Sequence, residues 1–273
     1  MLVASGLFAF LHIPKCAGTY IRKHLRDKSG AFGSMVRLEE PAQGLKNLVK
    51  PDHITLEQAS RLAPNVIKTL RSVEVFALLR EPSERFTSSF LQYQKEYAKP
   101  ELLVGRDPVA AAHKIMDRLC EGDYSDEADR NNKLGTPLVH FRRQRDYVYL
   151  EEEKLARRLG ASSDPGPILE EMLDLMPRSM HVEEIDSAPL NSSETVSQEF
   201  NRIERYLERL SMPSAFLNVS KKADRWLGNQ IQRRLSEQKT LLSKEIDQIS
   251  DLRSRIEAFY SRDYELFYSL RGR

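Results

Sequence analysis

Cysteine is scarce. Cys16 and Cys120 are the only two in 273 residues, too few for the disulfide framework of a small secreted domain, so the chain reads as reduced, intracellular and cytoplasmic. Long hydrophobic runs are missing as well, and nothing approaches the roughly 18 apolar residues that span a bilayer. The longest run, Leu2 to Leu11, is too short, lacks a basic flank and ends at His12, which argues against a secretory signal. Neither charge dominates: 42 Lys and Arg face 40 Asp and Glu, a net +2. A general nucleic-acid binder is thereby disfavoured, because it needs a basic stripe. Internal repeats, low-complexity tracts and an evident linker are also wanting. With 40% apolar and 30% charged residues, a sizeable core is available. The expectation is a single domain over residues 1–273, acting as an enzyme or a ligand-binding protein.

Two segments share one pattern. Leu7-Phe8-Ala9-Phe10-Leu11 is a short apolar run of the kind found in buried strands. The run breaks at Pro14 and resumes at Thr19, where Ile21 and Leu25 stand at i and i+4, the spacing of a helix with Thr19 or a neighbour as cap. Val73 to Leu79 repeats the strand signal, ends at Arg80-Glu81-Pro82, and places Pro82 at the first turn of a second helix. Two buried strands that each feed a helix predict an α/β fold, a central parallel sheet flanked by helices. Thr55 to Leu62 reads as a short capped helix, and Val109 to Leu119 as a longer one. Glu121 to Gly135 and Ser187 to Ser197 read as loops, with a break at Pro165 to Pro167. Gln198 to Leu210 suggests another helix and Ala215 to Val219 a last strand. Leu242, Ile246, Ile249, Leu252, Ile256 and Phe259 follow as a helical core stripe.

The loop Pro14-Lys15-Cys16-Ala17-Gly18-Thr19-Tyr20 carries the chemistry. A turn between a buried strand and a helix aims backbone N–H groups at one point, at the positive end of the helix dipole. Small residues let a phosphate approach, Lys15 adds a charge and Thr19 a hydroxyl. The nucleoside-triphosphatase pattern G-x-x-x-x-G-K-[ST] is not there, and an ordinary strand-to-helix turn with a surface lysine is the plain alternative. At the second junction Arg80 leaves the C-terminal edge of its strand, where ligands sit in open α/β sheets. Ser88 follows two turns along the helix, and a guanidinium with a hydroxyl suits a second phosphate. Arg85 reads as a solvated residue or a structural ion pair. Cys16, beside a lysine at a helix start, is expected to ionise easily.

Phe10-Leu11-His12-Ile13-Pro14-Lys15-Cys16-Ala17-Gly18-Thr19 resembles the 5′-phosphosulfate loop of sulfotransferases that use 3′-phosphoadenosine 5′-phosphosulfate (PAPS). Its nearest likeness is the carbohydrate branch with the heparan sulfate 2-O-sulfotransferases. Leu79-Arg80-Glu81-Pro82-Ser83-Glu84-Arg85-Phe86-Thr87-Ser88-Ser89-Phe90 resembles that family's 3′-phosphate motif. Fainter echoes lie at Phe141 to Tyr147, Leu217 to Lys222 and Asp263 to Phe267. The resemblance implies a P-loop-kinase-like sulfotransferase fold, PAPS as donor, PAP as product and no metal. It gives Lys15 the charge on the leaving group, the Ala17, Gly18 and Thr19 amides the 5′-phosphate, and Arg80 and Ser88 the 3′-phosphate. Ser220 and Lys222 would close over the nucleotide. Cys16 and Tyr20 stand where the family has hydroxyl residues, which bears on donor affinity.

Sulfonyl transfer to a hydroxyl needs a base, and the resemblance points to His53, between the two motifs, with Glu81 and His140 in reserve. The implied acceptor is a saccharide hydroxyl, with a peptide tyrosine, a lipid or a small phenol as alternatives. The variable stretch of about 97–150 would shape its site. The basic strip Arg142-Arg143-Gln144-Arg145 would meet an anionic acceptor or form a solvated face. A nucleotide kinase and a non-catalytic interaction protein on the same fold are the rival classes. Animal relatives are anchored in the Golgi membrane, and a chain cut from such an anchor would be lumenal instead of cytoplasmic.

Overall fold

The computed structural model describes residues 2–4, 7–28, 54–62, 64–97, 107–122, 138–176, 233, 235–248 and 250–270. The chain divides into two compact units, Met1–Val182 with Gln238–Arg273, and Glu183–Glu237. Of the second, only the helical residues 233 and 235–237 are described. The readings at Gln198 to Leu210, Ala215 to Val219 and Ser187 to Ser197 lie outside the described residues.

The first unit is built on a four-stranded sheet. Strand β1 (Leu2–Ala4) pairs antiparallel with β2 (Phe8–Leu11), while β2, β3 (Glu74–Leu79) and β6 (Arg158–Ala161) run parallel. The register sets Phe8 beside Glu74 and Leu11 beside Ala77, so the two strands end side by side. Every residue of β2, and of β3 from Val75 on, is buried, which is why both read as unbroken apolar runs. Helices α1 (Gly18–Lys28), α2 (Leu56–Leu62) and α3 (Pro64–Ser72) make up the crossover from β2 to β3. Thr55 caps α2 as expected. Its hydroxyl accepts from the Gln58 amide at 3.2 Å while Gln58 Oε1 accepts from the Thr55 amide at 3.0 Å, a reciprocal box.

Beyond β3 come α4 (Pro82–Tyr97), α5 (Pro108–Cys120), a 3-10 turn (Val139–Phe141) and α6 (Arg145–Val148). A small hairpin of β4 (Tyr149–Leu150) and β5 (Glu153–Lys154) then leads into β6. Pro165 to Pro167 is the start of α7 (Gly166–Asp174) instead of a plain break, with proline tolerated in the first turn. The C-terminal stripe is also divided. Helical residues 238–247 stop before Ser250, whose hydroxyl caps α8 (Asp251–Phe259) by accepting from the Arg253 amide at 3.2 Å, and α9 (Ser261–Tyr268) follows.

Two apolar clusters result. One lies on the sheet, where Ile21 and Leu25 of α1, Leu70 of α3 and Met172 of α7 cover β2 and β3. The other joins Phe86 and Phe90 of α4, Met116 of α5, Phe141 and the Leu252 and Ile256 face of α8. The turn after β2 is tied to α4, where Arg85 Nε donates to the Pro14 carbonyl, and the candidate residues lie on these two segments.

Candidate active site

The turn after β2 has an unusual backbone. Lys15 (φ 66°) and Ala17 (φ 57°) both occupy the left-handed region without being glycine, and Cys16 between them does not. Alternation of this kind points successive N–H groups into one concavity, a nest for an anion, and it costs about 1–3 kcal/mol per residue unless the surroundings enforce it. The enforcement is visible. The Cys16 amide closes the turn on the Ile13 carbonyl at 3.3 Å. Gly18 leaves room for the His12 imidazole, because a Cβ built there would fall onto the ring. The first helical bond runs from the Ile21 amide to the Ala17 carbonyl at 3.2 Å. Ala17 has no side-chain acceptor, so the amides of Gly18, Thr19 and Tyr20 have no side-chain cap before them, and Thr19 stands inside the first turn instead of capping it.

The second motif starts from the parallel end of the sheet. Arg80 leaves β3, Glu81 caps α4 by accepting the Glu84 amide at 2.7 Å, and Ser88 comes two turns later. Glu81 is thus engaged in holding the helix. A cleft of about 420 Å³ is lined by Pro14, Lys15, Ala17, Gly18 and Thr19 of the first motif and by Arg80 and Ser88 of the second. His12, Arg22, Gln92 and His140 complete the wall. Among the described residues three cations and no carboxylate line it, which suits an anionic ligand of small-molecule size. Lys15 Nζ donates to Gln92 Oε1 at 3.3 Å. Arg80 Nε pairs with Glu84 Oε2 at 3.2 Å, with side chains 32% and 63% exposed, a bond weak enough to be exchanged for a phosphate.

Other predicted residues stand apart from that wall. The Cys16 thiol turns inward and donates to Gln144 Oε1 at 3.3 Å. Burial pushes it up from the ordinary 9.0 to about 11, against the pull of Arg85 and Arg80, so the easy ionisation expected from the neighbouring lysine is overturned by desolvation. The Tyr20 ring is 41% exposed and lies against His24 at 3.9 Å between centroids. His53, Ser220 and Lys222 lie outside the described residues.

Sequence reasoning missed the support behind the cleft. Arg85 is buried, not solvated: its Nε donates to the Pro14 carbonyl at 3.1 Å and Nη2 to the His140 carbonyl at 3.1 Å. Ser89 Oγ donates to the same His140 carbonyl at 2.7 Å, so the histidine backbone is held twice. The basic strip is largely folded in as well. Arg143 Nε donates to the Phe259 carbonyl at 3.0 Å and its guanidinium lies over the Phe259 ring, while Arg145 lies over Tyr149 and pairs with Glu152. A second cavity, about 500 Å³ between α3 and the β4–β5 hairpin, has its Arg71 already clasped by Glu153 at 2.7 Å.

A family model described as "Sulfotransferase family" matches residues 6–269. The chain belongs to that family. No curated protein and no solved structure matches it. A sulfotransferase moves a sulfonyl group to a hydroxyl-bearing acceptor, and the α/β sheet with its cleft at the ends of the parallel strands is consistent with the family's fold. Among the described residues no helix is long and apolar enough to cross a membrane.

Proposed function

We propose that this sulfotransferase uses PAPS as donor, releases PAP, and sulfates a saccharide hydroxyl from a single domain, residues 1–273, with 97–150 on the acceptor side. One observation carries the donor reading: the Lys15 loop and the Arg80–Ser88 pair face a common cleft, giving two separated anion grips for a nucleotide with 5′- and 3′-phosphates. The nest at Lys15 and Ala17 and the space kept by Gly18 fit a phosphate group. Lys15 then neutralises charge on the oxygen that links sulfonate to 5′-phosphate. The Ala17, Gly18 and Thr19 amides hold that phosphate, with Pro14, Cys16 and Tyr20 shaping the turn. Arg80 and Ser88 hold the 3′-phosphate, and Ser220 and Lys222 cover the nucleotide.

The acceptor oxygen attacks sulfur, the bond from sulfur to the phosphate oxygen breaks, and the hydroxyl proton passes to His53. The catalysis required is positioning and charge stabilisation. The saccharide rests on the likeness of the His12-Ile13-Pro14-Lys15 loop to the carbohydrate branch. A peptide tyrosine or a small molecule remains the alternative acceptor.

Thermal unfolding with PAP, 5′-ADP, or ATP with magnesium tests the donor. A ligand at 100 times its dissociation constant adds about 2.7 kcal/mol, a rise of several degrees for a chain of this size. PAP is expected to give that rise and the others much less. Stabilisation by ATP with magnesium alone, or by none of the three, overturns the donor reading and reopens a kinase-like or non-catalytic role.

A further inference from the structure

We infer that Gln144 is a positioning residue for donor recognition: its buried side-chain amide fixes Arg80 at the mouth of the sheet, and Asp263 fixes Gln144. The inference rests on the donor reading above. The sheet ends at Leu79, which faces Ala161 across β3 and β6 and gives its carbonyl to Ser162 at 2.7 Å. Among the described residues no strand pairs with the next residue, Arg80, and Gln144 takes that place. Its Oε1 accepts the Arg80 amide at 2.8 Å, and its Nε2 donates to the Arg80 carbonyl at 2.8 Å. One side chain thus satisfies both backbone groups of one residue, as a neighbouring strand would.

The same Oε1 takes the Cys16 thiol at 3.3 Å, tying in the phosphate loop. Gln144 is itself held from behind. Its amide donates to Asp263 Oδ2 at 2.7 Å and the Arg145 amide to Oδ1 at 2.9 Å. Gln144 is fully buried and Asp263 is 1% exposed. A buried network of this kind, in which each of these side-chain polar atoms has a partner, has few alternative arrangements, so it holds its members in one geometry. Packing alone would be served by an apolar residue. The amide is instead spent on the residue whose guanidinium lines the cleft, and small displacements of a binding group cost large factors in recognition.

The test is calorimetric binding of PAP and 5′-AMP, which differ only in the 3′-phosphate, to the full chain, Gln144→Met, Arg80→Ala and the double variant, with circular dichroism to confirm folding. The expected result is that Gln144→Met cuts the preference for PAP over 5′-AMP at least tenfold. In the Arg80→Ala background the same change should alter it less than twofold, because Gln144 acts through Arg80. If Gln144→Met does not fold, Asp263→Asn carries the same expectation. A folded variant with unchanged preference, or an effect undiminished without the arginine, overturns the inference alone. A wild-type chain without preference for PAP removes the donor reading and this inference with it, a result visible before any variant is made.

Discussion

Arg85 reaches from the middle of the second motif to the carbonyl of Pro14 in the first, 71 residues earlier, and meets it at 3.1 Å. The same guanidinium holds the His140 carbonyl. One buried cation thus serves two backbone carbonyls, of which the His140 oxygen has a second donor in Ser89 Oγ. Hydrogen bonds to charged groups contribute about 1.5–3 kcal/mol each, and orphaning buried acceptors adds to the loss. Arg85→Met should therefore lower stability by about 3 kcal/mol in urea unfolding. A loss under about 1 kcal/mol would mean that the link is not needed to hold the loop.

Gly18 is required by space. A methyl group there collides with the His12 imidazole, which is buried and belongs to a residue lining the cleft. Overpacking of this kind costs about 1–3 kcal/mol. Gly18→Ala should reduce PAP affinity by an order of magnitude or more. The companion His12→Ala/Gly18→Ala variant, which restores the space, should recover part of it. No recovery would show that ring packing against His12 is not what the glycine serves.

The two thiols should behave oppositely. Cys120 is exposed and Cys16 buried, with Cys16 raised to about 11 by desolvation. A disulfide reagent at pH 8 should titrate one thiol in the native chain and two in guanidinium chloride. The sign of the pH effect follows from the upward shift. The stability that Cys16 contributes is fully present below its unfolded value near 9 and is lost as pH rises through about 11. Rapid reaction of both native thiols at pH 8 would contradict the burial that sets this order.

The contrast between Arg80 and Gln144 explains what could be read in advance. Arg80, Lys15 and Ser88 sit in contiguous runs where a strand, a proline and a helix follow one another, and those signals are local. Gln144 meets Arg80 across 64 residues and Asp263 across 119, and a buried Gln or Asp leaves no periodic trace. Strand β6 escaped for another reason. Arg158-Leu159-Gly160-Ala161 is neither alternating nor continuously apolar, and its glycine is there because Ile168 and Leu78 occupy the space of a side chain. The inward turn of Cys16 was likewise hidden: its lysine neighbour is in the sequence, but its burial is a product of the fold.

The base is the last test. His53 is proposed for that role through the family resemblance, and His140 has a claim from geometry, since it lines the cleft with Lys15 and its backbone is clamped by Arg85 and Ser89. A histidine base should give kcat an acid limb, because only the neutral imidazole can take the proton. His53→Ala should lower kcat by about 10²–10⁴-fold and erase that limb while PAP affinity stays unchanged. His140→Ala should keep the limb and weaken PAP binding, because the residue lines the cleft. Loss of the limb in His140→Ala, with His53→Ala near normal, would move the proton to the residue that the cleft contains.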